Sequence, residues 1–396
     1  MITKDPLLAN KPVRILYVNS SSEIGGADID LLEICSHIDR DRFELIIVLP
    51  HVGPLSKEFE RAKVRIIYLD PAPIKRFRTP IQMALYPFRF TIAIIQLIQL
   101  ILREKPTIVH VNTSVLPTAG IAAKVARVRC VWHVREIELL QRSRIVGGML
   151  RMCIRRCADR IVAISHAVAT AMGEAAQPNI SVIYHGVDTT RFQPQAINQS
   201  LRRELGIPTS AHVIGFIGRL APIKGLEYLI QALHQILPTD PDAYLLLVGP
   251  DPGYQEYVAS LYRQTANLGL TERVLFLPGR NDIPNVIHTM DLVVLPTIIP
   301  EGLGLVILEA LASGKPVIAT NQGGPIEILS GCAAGRLVPP KDATALAQAA
   351  LELLNLPSEH RQLLGKEARA WAIKHFSVNR MIDELSSVYV AVSSIH

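Results

Sequence analysis

Two adjoining runs, LVVLPT (292–297) and PEGLGLVILEALASGKPVIAT (300–320), place a β-rich apolar segment, a turn, a helix and a second β-rich segment in succession. Gly302 and Gly304 loosen the turn, an apolar helix runs from about Gly304, and Gly314 supplies its stop. A strand that returns through a helix to another strand builds a parallel sheet. Each strand in such a sheet is covered on both faces and so reads as apolar throughout.

The same alternation extends outward in both directions. VIGFIGRL (213–220), YLLLVGP (244–250) and RVLFLPG (273–279) precede it with helical patterns between them. Further upstream, VRILYVNS (13–20), ELIIVLP (44–50), VRIIYLD (64–70), IVHVNTS (108–114), CVWHV (130–134) and RIVAIS (160–165) form a separate series. SVIYHGVDTTRFQP (181–194) closes that half, and the polar QPQAINQS (193–200) reads as a linker. The expected fold is α/β: two Rossmann-like domains in tandem with a cleft between them, divided into residues 1–193 and 194–377. The chain's 396 residues suit two domains. A last helix, with Met381, Leu385, Val388 and Val392 at offsets of 0, 4, 7 and 11, must dock on something.

Composition narrows the classes. Hydrophobic residues are 49% and aromatics 5%, so aliphatic side chains fill the cores. Residues 1–193 carry 26 Lys+Arg against 17 Asp+Glu, whereas residues 194–396 carry 15 against 18. The five cysteines (35, 130, 153, 157 and 332) form no CxxC pair, which argues against structural zinc or a disulfide framework and favours a reducing compartment. The opening MITKDPLLANKP lacks the apolar core of a signal peptide. TIAIIQLIQLIL (91–102) is too short to cross a bilayer. Around it, Arg89, Gln96, Gln99 and Arg103 share one narrow helical stripe, and the bland expectation is a largely buried helix. The sharper one is a helix whose apolar flank meets a membrane surface beside KRFR (75–78), with Arg144, Arg151 and Arg155 on a second cationic face.

The chemistry-bearing residues cluster after predicted strands. Free N–H groups at the helix start near Gly304 suit a diphosphate. Glu309 is costly to bury without a partner, and Glu301 stands just before the helix. A carboxylate on each side of an anion site matches a hydroxyl-bearing group, a diphosphate and a second hydroxyl-bearing group, the layout of a nucleotide sugar. In GRLAPIKG (218–225), Arg219 and Lys224 flank a Pro-containing turn after a strand, where two cations can neutralise a leaving diphosphate. Arg280 to Ile283 follow the next-but-one strand and are expected near the base. Gly25 and Gly26 make a strand–helix turn without a dinucleotide fingerprint or P-loop. His133 lies near a strand end beside Arg135 and Glu136; a lone histidine there is either a satisfied core residue or a site residue. No Asp-rich metal loop is present, so neither a metal nor a cofactor is expected, and nothing points to nucleic acid.

These motifs together resemble the GT-B glycosyltransferases called group 1, or family 4. The resemblance takes in the Gly25-Gly26 turn, VWHVRE, YHGVDTTRF (184–192), GRLAPIKG, LLLVGP, EGLGLVILE and GKPVIATNQGGPIEIL. It implies a retaining, metal-independent hexosyltransferase in which Arg219 and Lys224 hold the donor diphosphate, Glu301 contacts the donor sugar and Glu309 the ribose. His133 would adjoin the reacting centre, and the Gly25-Gly26 loop would line the phosphate and acceptor side. Gly218, Gly302, Leu303, Gly304 and Leu305 complete the donor-binding set. It further implies a UDP-sugar donor, a lipid-linked or cell-envelope saccharide acceptor in polysaccharide biosynthesis, and a terminal helix (378–396) that crosses back to the N-terminal domain. The expected location is cytoplasmic, peripheral on an anionic inner membrane face. His185 stands where Asn is commoner, and the helix after Gly26 lacks the usual acidic-polar pattern. Alternative readings are a GT-B nucleotide-sugar 2-epimerase and a non-catalytic nucleotide-sugar-binding subunit.

Overall fold

A computed structural model describes residues 11–74, 79–141, 144–173 and 179–394. The chain forms two compact units, Met1–Tyr184 with Asn379–His396, and His185–Val378.

Among the described residues, the first unit holds a seven-stranded sheet. Its strands are β1 (Val13–Val18), β2 (Phe43–Leu49), β3 (Arg65–Tyr68), β4 (Ile108–Val111), β5 (Arg129–Val134), β6 (Arg160–Ala163) and β7 (Ile180–Val182). The order is β3-β2-β1-β4-β5-β6-β7, with every neighbouring pair parallel. Leu16 sits opposite Ile46 on one side and Val109 on the other, and all three are fully buried. Covering helices bury both faces, which is why the strand sequences show no polar alternation. The order reverses between β1 and β4, so the loops that follow these two strands diverge and open a crevice at the carboxyl edge.

The second unit repeats the plan with β8 (Val213–Ile217), β9 (Tyr244–Val248), β10 (Val274–Leu277), β11 (Leu292–Leu295), β12 (Val317–Thr320) and β13 (Gly335–Val338). These run parallel in the order β10-β9-β8-β11-β12-β13, reversing between β8 and β11. The short strands β7 and β13 lack a continuous apolar run and escaped the sequence reading.

The unit boundary falls earlier than Gln193. Val187 pairs with Ser377, and the Val187 N–H donates to Phe376 O at 2.8 Å. Arg369 donates to the carbonyls of Thr189 and Phe192, and Phe192 is buried. A Cβ on Gly186 would come within 2.4 Å of Val378 Cα, so only glycine lets these two segments lie together. The polar stretch 193–200 is therefore part of the second unit, and Asn198 caps the helix Gln199–Glu204 within it.

The terminal helix Val378–Ser393 joins the first unit from Asn379 onward. Its buried stripe is Met381, Leu385, Tyr389 and Val392; Tyr389 takes the place expected of Val388. Polar pairing explains the shift. Tyr389 Oη hydrogen-bonds Tyr17 Oη and lies 2.9 Å from His110 Nδ1, and all three side chains are fully buried.

The largest departure concerns the apolar helix, which spans Pro80–Glu104. It is not largely buried. By length and composition, Ile81–Glu104 is long and apolar enough to cross a membrane, against the reading of twelve apolar residues. Its place in the fold argues otherwise. It connects β3 to β4 of one sheet and buries Ala93, Leu97, Leu100 and Ile101 as it packs on the helix Pro117–Val125, so it lies along the sheet.

Candidate active site

The two strongest motifs meet at the second unit's switch point. GRLAPIKG follows β8, and PEGLGLVILE follows β11, the strand beside it. Gly218 adopts φ +152°, and a Cβ on Gly249 would strike Gly218 O at 1.8 Å, so the loops after β8 and β9 touch backbone to backbone. Pro222–Lys224 forms one 3-10 turn that ends in left-handed Gly225 at φ +64°. There a Cβ would lie 2.3 Å from Pro296 O, and the Ile298 N–H donates to Ile223 O at 2.9 Å. The two loops are locked together.

Across that junction Lys224 Nζ donates to Glu301 Oε2 at 2.5 Å. Arg219 is exposed, and its guanidinium has no hydrogen-bond partner or ion pair among the described residues. The helix Leu305–Ala312 begins at Gly304, with φ +101° and no side-chain cap, leaving its first N–H groups available. Gly314 at φ +73° ends it in a Schellman arrangement, with Lys315 N–H to Ala310 O and Gly314 N–H to Leu311 O both at 2.9 Å. Glu309 is half-buried on this helix while Leu308 and Ala310 beside it are fully buried. Leu303 is buried, and Gly302 and Leu305 are half-buried at the turn.

Sequence reasoning did not single out the residues that hold Glu301 in place. Gly323 takes φ +66°, ψ −143°, a region open to little but glycine, and a Cβ there would lie 2.2 Å from Glu301 O. The Gly324 N–H donates to Glu301 O at 2.9 Å, and a Cβ on Gly324 would meet Leu303 Cα at 2.4 Å. The GG pair of NQGGP was the available signal. Nearby, Thr320 Oγ1 and Gln322 Nε2 both donate to Thr297 O, at 2.8 and 3.1 Å, and tie the end of β12 to that of β11.

Arg280 is engaged locally: Nε and Nη2 reach the two Asp282 oxygens at 2.8 Å each. That pairing lowers the Asp282 carboxyl and raises the Arg280 guanidinium. Ile283 opens the helix Ile283–Ile287 just beyond. Among the described residues, Glu301 and Glu309 belong to no three-residue cluster of metal-ligating side chains.

In the first unit, a polar network occupies the corresponding edge. Asn112, after β4, donates to Asn19, after β1, at 2.9 Å, and Asn19 donates to Asp28 at 2.7 Å. Asp28 also accepts the Gly25 N–H at 3.0 Å, fixing the exposed Gly25-Gly26 turn. Burial pushes the Asp28 carboxyl up against these two hydrogen bonds. Arg135 pairs with Asp30 at 2.6 Å and donates to the Asn112 carbonyl and side chain at 3.0 and 2.9 Å. Asp28 and Asp30 thus give the helix Gly26–His37 an acidic, buried first half, contrary to the sequence reading. His133, at the end of β5, is buried with Nδ1 3.3 Å from Arg135. Glu136 accepts from Thr113 Oγ1 and from Ser114 N–H.

Two parallel sheets, each with a polar crevice at its switch point, define a two-domain nucleotide-binding α/β architecture. Residues 198–371 match the family Glycosyl transferases group 1, and residues 24–191 match Glycosyltransferase Family 4. The chain belongs to the group 1 glycosyltransferases and has their GT-B fold. It is similar to the N-acetyl-alpha-D-glucosaminyl L-malate synthase of Bacillus anthracis, 29% identical over 66% of each chain. It is also similar to the UDP-Gal:alpha-D-GlcNAc-diphosphoundecaprenol alpha-1,3-galactosyltransferase of Escherichia coli, 26% identical over 96% of this chain and 97% of that one. Among solved structures, Anabaena Alr3699/HepE in complex with UDP and glucose superposes with a TM-score of 0.81, at 27% identity, over 96% of this chain and 99% of that one.

Proposed function

We propose that the protein transfers a sugar from a UDP-sugar to a lipid-linked or cell-envelope saccharide, with retention of configuration and without a metal. The observation that carries this reading is the Lys224–Glu301 pair at the β8/β11 switch point, beside the uncapped start of Leu305–Ala312. Arg219 and Lys224 neutralise the diphosphate, and the helix N–H groups add further donors to it. Glu301 accepts hydrogen bonds from the sugar hydroxyls and Glu309 from the ribose. As the sugar–phosphate bond breaks, the acceptor hydroxyl attacks the face the diphosphate leaves, and a phosphate oxygen takes its proton. Attack on that face retains configuration. His133 and the Gly25-Gly26 turn are assigned to the acceptor side.

The choice of uridine is supported by the UDP-bound Anabaena structure, and the lipid-linked acceptor by the diphosphoundecaprenol in the name of the Escherichia coli relative. The excess of basic residues in 1–193 supports attachment to an anionic inner membrane face from the cytoplasm. Lys75, Arg76 and Arg78, part of that expectation, lie outside the described residues. Incubation with UDP-, GDP- and ADP-sugars tests the reading: UDP release is expected from a uridine donor alone. An altered nucleotide sugar without release would indicate an epimerase, and binding without either product a non-catalytic subunit.

A further inference from the structure

The loops assigned to the donor occupy the carboxyl edge of the second sheet. At its amino edge, Lys315 stands two residues before β12 and Asp291 directly before β11. Both line a recess of about 290 Å³ whose walls include Ile197, Leu353 and Leu364. Arg361, an exposed residue of the helix Ser358–Phe376, lines it as well. That helix is pinned in place. A Cβ on Gly365 would lie 2.7 Å from Gly314 O, so the helix and the residue before Lys315 touch backbone to backbone and the recess is built into the unit.

The charges around the recess do not balance. Asp291 Oδ2 already accepts from Arg202 Nη2 at 2.6 Å and from the Val213 N–H at 2.8 Å. Arg202 is buried and directs its remaining groups to Thr289 O and Ala211 O. Lys315 is half-buried, and among the described residues its side chain makes no hydrogen bond or ion pair. Arg361 donates through Nη1 to Leu354 O at 3.1 Å and to His212 Nε2 at 3.0 Å, while His212 Nδ1 lies 2.7 Å from Asp240. Arg361 Nε and Nη2 have no bond among the described residues. His288 is buried with neither ring nitrogen paired, and burial followed by Lys315 holds it towards its neutral form. Two cations thus line an apolar-walled recess whose carboxylate is engaged by a third cation.

A half-buried ammonium without a partner is costly to keep charged. Burial lowers the Lys315 amine to about 8, with Asp291 acting to raise it and Arg202 to lower it further. An anion beside Lys315 would restore the charged form. The apolar walls favour a singly charged group with an alkyl body, because a dianion would leave oxygens unpaired against them. We propose that the recess binds a small organic monocarboxylate, with the carboxylate on Lys315 and Arg361 and the alkyl body against the leucines. The helix Leu305–Ala312 starts at the donor-side turn and ends next to Gly314 and Lys315, so this site stands at the other end of that helix. The inference is independent of the donor assignment. It carries a signature: near pH 8, binding should take up a proton at Lys315.

Calorimetric titration of hexanoate at pH 8, in two buffers of different ionisation enthalpy, tests the site. Saturable binding is expected, with uptake of about half a proton per ligand. Affinity should fall from hexanoate to acetate, and uncharged hexanamide should not bind. Lys315→Met keeps an unbranched stem and removes the charge; Arg361→Gln removes the guanidinium. Each should lower hexanoate affinity about 10-fold or more while the far-ultraviolet circular dichroism stays that of wild type. Absence of saturable binding, hexanamide binding as tightly as hexanoate, or unchanged affinity in Lys315→Met would overturn the proposal. Inorganic phosphate that binds in a Lys315-dependent way where hexanoate does not would also overturn it, and assign the recess to phosphate.

Discussion

Lys224 and Glu301 form an ion pair, Nζ to Oε2 at 2.5 Å, that joins the loop after β8 to the loop after β11 where the second sheet reverses its order. The pair couples a cation assigned to the diphosphate with a carboxylate assigned to the sugar. A bound donor offers each a new partner, so ligand binding exchanges one charge-assisted contact for two.

Removing either cation should therefore act mainly on turnover. We expect Lys224→Ala and Arg219→Ala each to slow UDP release by about 10²–10³-fold. Arg219 is exposed, so its substitution should leave the thermal midpoint unchanged. Near-normal turnover in both variants would reject the diphosphate assignment.

The glycine pair behind Glu301 predicts a stability effect instead. Gly323→Ala places a Cβ against Glu301 O in a backbone region that L-residues avoid. A loss of about 1–3 kcal/mol is expected, read as a lower urea midpoint. An unchanged midpoint would show that the loop can move away freely.

Much of this was legible in the sequence. The apolar runs located eleven of the strands because strands covered on both faces have no polar alternation. The motifs after β8 and β11 were visible as glycine-bracketed charges. What remained hidden depends on tertiary position. Tyr389 displaced Val388 because a buried tyrosine needs partners, and Tyr17 and His110 supply them from strands far away in sequence. The need for glycine at 323 arises from the approach of Glu301 O, a contact that only the fold creates. The outward apolar stripe of Pro80–Glu104 could not be told from an inward one by periodicity alone.

That buried Tyr17–Tyr389–His110 cluster gives stability a pH dependence. Burial, and then Arg135, hold the His110 imidazole well below its ordinary value. The unfolded chain takes up this proton near pH 6.5 while the folded chain refuses it, so stability falls as pH drops below about 6.5. His288 contributes in the same direction, through its burial and then Lys315. Urea midpoints at descending pH should decline, and His110→Gln should reduce the slope by up to about 1.4 kcal/mol per pH unit. A slope unaltered by the substitution would remove His110 from the linkage.

Chelation should leave turnover intact, since the proposed mechanism assigns to Arg219 and Lys224 the positive charge that the leaving diphosphate needs. Activity abolished by EDTA and restored by Mg²⁺ or Mn²⁺ would overturn the metal-free proposal.

Calorimetric titration of UDP and of its sugar-bearing donor into three proteins tests the site most directly. Glu309→Gln should weaken both ligands alike, because its assigned partner is the ribose. Glu301→Gln should weaken the UDP-sugar while UDP alone binds as well as to wild type or better, because Lys224 no longer has a carboxylate to leave. Equal losses of UDP and UDP-sugar in both variants, or no loss in either, would contradict the assignment of this switch point to the donor.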